Sequence, residues 1–107
     1  MTTFDKREEG FEKKFAHDEE LRFKATARRN KLLGLWAATK LGIAGPEADA
    51  YAKEVVASDF EEAGDEDVYR KVRGDLSAKG AAVTESEIRT AMIDLMVQAI
   101  AQIQAGK

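Results

Sequence analysis

Apolar positions in this chain recur at three- and four-residue intervals, and no stretch alternates apolar and polar residues as a half-buried strand would. The pattern predicts four helices. The first starts at an N-cap Thr2 or Thr3 and runs to about Leu41, where Gly42 and the pair Gly45-Pro46 stop it. At about 1.5 Å per residue such a helix spans roughly 60 Å, more than one small bundle can cover. The second starts with Pro46 in its first turn, buries Ala48, Tyr51, Ala52, Val55 and Val56 on one face, and stops near Ser58-Asp59. Asp65 is placed as the N-cap of the third, with Glu66 and Asp67 set against the helix dipole. Val68, Val72 and Leu76 mark its inner face, and Gly80 ends it. Thr84 and Glu87 have the spacing of a capping box at the head of the fourth. Its inner face is Ile88, Ala91, Met92, Leu95, Met96, Ala99 and Ile103. Residues 21–41 and the three later helices together make a four-helix bundle.

The first twenty residues follow a different pattern. Phe4, Phe11 and Phe15 fall within roughly 40° of one another on a helical wheel, and nearly everything between them is charged. Glu9 and Lys13 are spaced for i,i+4 support. Gly10 interrupts the seam at a cost of roughly 1 kcal/mol of helix propensity. Three aromatic side chains cannot by themselves offset the backbone entropy of ordering such a segment. A binding role therefore requires prior helicity or an enclosing site on a partner. The alternative is that the seam packs on the chain's own bundle or forms a coiled-coil dimer.

Charge divides the chain into blocks. Residues 21–46 carry six basic groups and no acid, whereas residues 47–67 carry nine acidic groups and one basic. The simplest use of the two is to fold against each other. The 107 residues suffice for one domain, and a hydrophobic content of 44% allows a modest core. With no cysteine, disulfides, thiolate catalysis and cysteine-ligated metal centres are excluded. The start has no apolar signal region, and the run from Leu32 to Ala38 is far shorter than a membrane span of roughly 20 residues, so the expected compartment is the cytoplasm.

Candidate chemistry is sparse. His17 is the only histidine, so the stretch His17-Asp18-Glu19-Glu20 lacks the second histidine of a bundle di-metal site, and no metal is expected. Arg22, Lys24, Arg28, Arg29, Lys31 and Lys40 point around most of a helix rather than along one stripe, which argues against nucleic acid. Gly42-Ile43-Ala44-Gly45 lacks the Lys-Ser/Thr that completes a phosphate loop. Trp36, Leu32 and Leu33 read as core. The residues favour a binding protein, not an enzyme, with no catalytic residues and no cofactor.

The stretch from Phe11 to Gly42, EKKFAHDEELRFKATARRNKLLGLWAATKLG after its Phe, resembles the zeta subunit family of alphaproteobacteria, inhibitors of the F-type ATP synthase. SDFEEAGDEDVYRKV, from Ser58 to Val72, resembles the same family, and the similarity covers essentially the whole chain. The resemblance implies an all-α protein, a four-helix bundle with a long first helix whose N-terminal part is extended or partly disordered. It divides the chain into an N-terminal inhibitory segment, residues 1–20, and a helical bundle scaffold, residues 21–107. The segment would enter the interface between catalytic alpha and beta subunits, reach the central gamma stalk and block hydrolysis while letting synthesis proceed. Carried over onto this sequence, the partner-binding residues are Phe4, Arg7, Glu8, Phe11, Glu12, Lys14 and Phe15. The partners implied are the alpha, beta and gamma subunits of the catalytic head. The implied location is peripheral, at the inner face of the inner membrane through the synthase. Two other readings are a generic helical adaptor or self-associating protein, and a bundle that binds adenine nucleotide weakly.

Overall fold

The computed structural model describes residues 19–59 and 65–106. They form four helices: α1 (Glu19–Leu41), α2 (Pro46–Ala57), α3 (Glu66–Ala78) and α4 (Glu85–Gln104). No strand occurs among the described residues. The expected start at Thr2 or Thr3 and the extended or partly disordered beginning of the first helix lie outside them.

The boundaries follow from local chemistry. α1 closes with a Schellman motif, in which Ile43 N–H donates to Ala38 O at 3.0 Å and Gly42 N–H to Thr39 O at 3.4 Å. The motif requires a left-handed residue, which Gly42 supplies at φ 77°. α3 ends in the same way, Ala81 N–H donating to Leu76 O at 2.9 Å. The capping box at α4 is present, with Glu87 N–H donating to Thr84 Oγ1 at 3.1 Å and Thr84 N–H to Glu87 Oε1 at 3.4 Å. Asp65 occupies the N-cap position of α3, but its side chain makes no cap hydrogen bond. Its carboxylate is engaged elsewhere, as described below.

α1 is the axis of the bundle, packing most extensively on α2 and α4 and touching α3. Leu33, Ala37 and Ala38 from α1 meet Ala48, Tyr51 and Val55 from α2, Val68, Tyr69, Val72 and Leu76 from α3, and Ile88, Ala91 and Met92 from α4. Each fully buried Val, Leu or Ile is worth roughly 1.5–3 kcal/mol, so these contacts dominate the stability of the described fold. Leu95, expected on the inner face of α4, is partly buried against this core, and Met96 and Ile103 are half-buried. Val56, Leu32 and Trp36 are also only half-buried. Tyr69 joins the core one position from the expected stripe because α3 is covered on two sides, by α1 and α4.

At the α1–α2 crossing the backbones approach closely. A Cβ on Gly34 would lie 2.6 Å from the Cα of Ala52, so only glycine fits there. The opposition of charge blocks is realised in the ion pair of Arg29 with Asp65, while other acids of the block face cations further along the chain. Glu54 pairs with Lys71 at 3.1 Å and Glu66 with Arg89 at 3.0 Å, and Asp67 pairs with Arg70. Small residues pack between α1 and α2, with Gly34 set against Ala52.

Candidate interaction surface at the head of the first helix

The first three turns of α1 extend alongside the last turns of α4, joined by a hydrogen bond from Arg28 Nη1 to Gln102 Oε1 at 2.8 Å. What fixes this part of α1 is polar. Arg29 and Asn30 are both about 1% exposed, the two most deeply buried polar residues among those described. Arg29 donates through Nη2 to Asp65 Oδ1 at 2.7 Å and through Nε to Asn30 Oδ1 at 2.7 Å. Asn30 in turn donates through Nδ2 to Asp59 Oδ2 at 2.9 Å. Two consecutive residues of α1 thereby hold the end of α2 and the start of α3. A buried guanidinium is tolerated only when paired and hydrogen-bonded in this way.

Two concavities flank this head. One, of about 580 Å³, runs between α1 and α4 and is floored by Met92, Met96 and Ile100, with Arg22 and Asp65 at its rim. Ile93 and Val97 border it and stand out into solvent, 67% and 65% exposed. The other, of about 380 Å³, lies between α1 and the end of α2, beside Phe23 and Val56. Phe23 is 75% exposed, the most exposed large apolar side chain described. Phe23 stands beside the α1–α2 concavity, whereas Ile93 and Val97 stand beside the α1–α4 one.

The exposure of Phe23, Ile93 and Val97 was not legible in the sequence. Phe23 lies off the apolar stripe of α1, and Ile93 and Val97 sit one position beyond the inner-face residues Met92 and Met96 of α4. That sequence adjacency was the available signal. Of the six cations weighed for nucleic acid, Arg29 is buried in the network, Lys24 pairs with Glu20 at 3.2 Å, and Lys40 lies 5.6 Å over the Trp36 ring. They form no basic stripe. Phe4, Arg7, Glu8, Phe11, Glu12, Lys14 and Phe15 all fall outside the described residues, as does His17.

Away from the head, the α2–α3 flank carries the one strongly shifted group among the described residues. Burial pushes the Tyr51 phenol well above its ordinary value of 10.0, reinforced by its hydrogen bond to Asp75 Oδ2 at 2.9 Å and by the charge of Glu54. Burial of Lys71 works to lower its affinity for a proton, but hydrogen bonds to Asp75 and Glu54 outweigh it and raise the value. Both arrangements are structural, and no cluster of metal-ligating side chains occurs among the described residues. None of the described helices is long and apolar enough to cross a membrane.

The geometry thus offers a contact surface at one end of a bundle. No curated protein matches the chain. A solution NMR structure of a protein aligns with a TM-score of 0.73 at 55% identity, covering 81% of this chain and 99% of that one. The model of the family described as ATPase inhibitor subunit zeta matches residues 1–102. That match takes in the charged aromatic segment, the first three described helices and all but the last two residues of α4, and this chain belongs to the ATPase inhibitor subunit zeta family.

Proposed function

We propose that this protein inhibits ATP hydrolysis by an F-type ATP synthase, with residues 1–20 as the inhibitory segment and residues 21–107 as its scaffold. On this reading the segment inserts at the interface of catalytic alpha and beta subunits and bears on the central gamma stalk. Phe4, Phe11 and Phe15 supply the buried anchor, and Arg7, Glu8, Glu12 and Lys14 pair with the polar walls. The protein acts by binding and would sit at the inner face of the inner membrane only through the synthase.

The observation that carries this reading is the extent of the family match, which begins at residue 1 and so includes the aromatic seam. The bundle is consistent with a scaffold role. The buried apolar residues described, from Ala25 to Ala99, form one core contributed by all four helices. A helical segment with a narrow aromatic seam is the kind of ligand that a partner's groove accepts.

The test is ATP hydrolysis by the isolated catalytic head of the synthase. The full chain should inhibit it. Deletion of residues 1–15 should abolish inhibition and leave the helical circular dichroism and thermal midpoint of the bundle in place. A truncated protein that inhibits as well as the full chain would sink the assignment of the segment. Loss of the fold on truncation would instead place the seam in the core.

A further inference from the structure

We infer that in the free protein the groove between α1 and α4 is occupied by the chain's own first residues, with Phe11 and Phe15 as the apolar anchors; because this describes how the inhibitory segment is held before a partner takes it, it rests on the proposed function. The groove calls for an apolar occupant. Ile93 and Val97 border it one helical turn apart and are largely exposed, and Met92, Met96 and Ile100 floor it. From Thr90 to Gln104 α4 carries one charge, Asp94, in a chain of which 35% is charged. A helix that is apolar on more than one face is ordinarily covered on more than one face. α4 packs on α1 and more lightly on α3. The charged groups lining the groove are already used, since Arg29 pairs with Asp65 and Arg22 is engaged within the chain. Nothing in it selects a charged ligand, and methionine thioethers favour aromatic rings.

The identity of the occupant follows from where the described chain begins. Eighteen residues precede Glu19, and Arg22, Ala25 and Thr26, in the first turns of α1, line the groove. At about 3.5 Å per residue, Phe15 can reach about 14 Å from Glu19 and Phe11 about 28 Å. The groove from Ile93 to Ile100 is about 10 Å long. Both rings therefore reach it with chain to spare for a reversal. Phe11 and Phe15 are four residues apart, the spacing of Ile93 and Val97. A second copy fits less well. Stable dimers bury roughly 1,200–2,000 Å², far more than a groove this short offers. A tethered segment instead meets the groove at an effective concentration in the millimolar range. Phe23 does not compete, because it lines the concavities beside Val56.

The test uses the full chain alone in solution. It has no cysteine, so Thr3→Cys gives a single site for a nitroxide label. The label should broaden the methyl signals of Ile93, Val97 and Ile100. It should spare Ile43, past the last turn of α1, and Val83, ahead of α4. Adding Phe11→Ser and Phe15→Ser keeps the tether and should remove the selective broadening. Broadening that survives those changes, or that spreads evenly over all five residues, overturns the proposal. So does broadening of an isotope-enriched, unlabelled chain mixed with the spin-labelled one, since the occupant is then a second copy. Inhibition gives a second reading. Ile93→Ser with Val97→Ser should leave the thermal midpoint close to that of the unaltered chain, because both side chains are largely exposed. Its half-inhibitory concentration against the catalytic head should fall about threefold or more, because a segment held in the groove is not free to bind elsewhere. Unchanged or weaker inhibition by this variant overturns the proposal. A wild-type chain that shows the selective broadening and never inhibits keeps the contact and removes the inhibitory role. One that inhibits without the broadening keeps that role and removes the contact.

Discussion

The Arg29 guanidinium meets the Asp65 carboxylate at 2.7 Å, joining the middle of α1 to the first residue of the α3 cap. An aspartate at an N-cap position ordinarily accepts from its own helix, and here it serves a buried cation instead. Asp65→Ala should therefore cost more than a lost cap, because it strips a buried guanidinium of its counter-charge. With the Asp65 side chain about half exposed, water can partly replace it, and the expected loss is about 2 kcal/mol. Urea unfolding measures this; a loss below about 0.5 kcal/mol would mean the pair contributes little.

Gly34 and Gly74 should respond with opposite sign to alanine. Both stand inside helices, where alanine is favoured by roughly 1 kcal/mol. A Cβ at Gly74 meets nothing within 4 Å, so Gly74→Ala should stabilise by up to about that amount. At Gly34 the same methyl group collides with the backbone of Ala52, and α1 and α2 must separate. The overpacking cost of roughly 1–3 kcal/mol exceeds the propensity gain at most of its range, giving net destabilisation. Thermal midpoints of the two variants decide it.

The two tyrosines make a second opposed pair. The Tyr51 hydroxyl donates to Asp75, whereas the buried Tyr69 hydroxyl has no hydrogen-bond partner among the described residues. Tyr51→Phe should lose about 1 kcal/mol at neutral pH. Tyr69→Phe should be neutral or stabilising, since it removes a buried polar atom and keeps the ring against the Arg89 guanidinium at 3.7 Å. Equal losses in both variants would contradict this account.

Tyr51 also sets an alkaline limit. Its folded-state value lies above the ordinary 10.0, so the native state retains a proton that the unfolded chain releases. The stabilisation is complete below about pH 10 and declines as pH rises through the folded value. The raised Lys71 works in the same direction. Stability measured from pH 9 upward should fall, and Tyr51→Phe should flatten the slope; an unchanged slope would remove Tyr51 as a source.

Thr84→Ala should cost about 1 kcal/mol, read from chemical denaturation, because it removes the hydroxyl that accepts from Glu87 N–H, while the Thr84 N–H that donates to Glu87 Oε1 remains. This element was fully legible in the sequence, as were the face of α2 from Ala48 to Val55 and the stop at Gly42. Each rests on spacing within a few residues. Features made by residues far apart in sequence were not legible. Asp65 carries the signature of a cap, and only the approach of α1 shows that its carboxylate is taken. Gly34 looks like a weak point in a helix until Ala52 is seen against it. Ile93 and Val97 read as flanks of a buried stripe, because periodicity gives a face but not how wide a neighbour covers it.

The pairing of Arg29 and Asn30 with the two ends of the α2–α3 connection has a mechanical consequence. Apolar contacts tolerate sliding, but hydrogen bonds weaken steeply as their angles open. Ten residues separate Arg29 from Glu19, a lever arm of about 15 Å. A tilt of about 10° at that fulcrum would swing the tip by about 2.6 Å, nearly the length of a hydrogen bond. Bonds at the fulcrum therefore aim the helix, and precision there is magnified at the end that leads into the first eighteen residues.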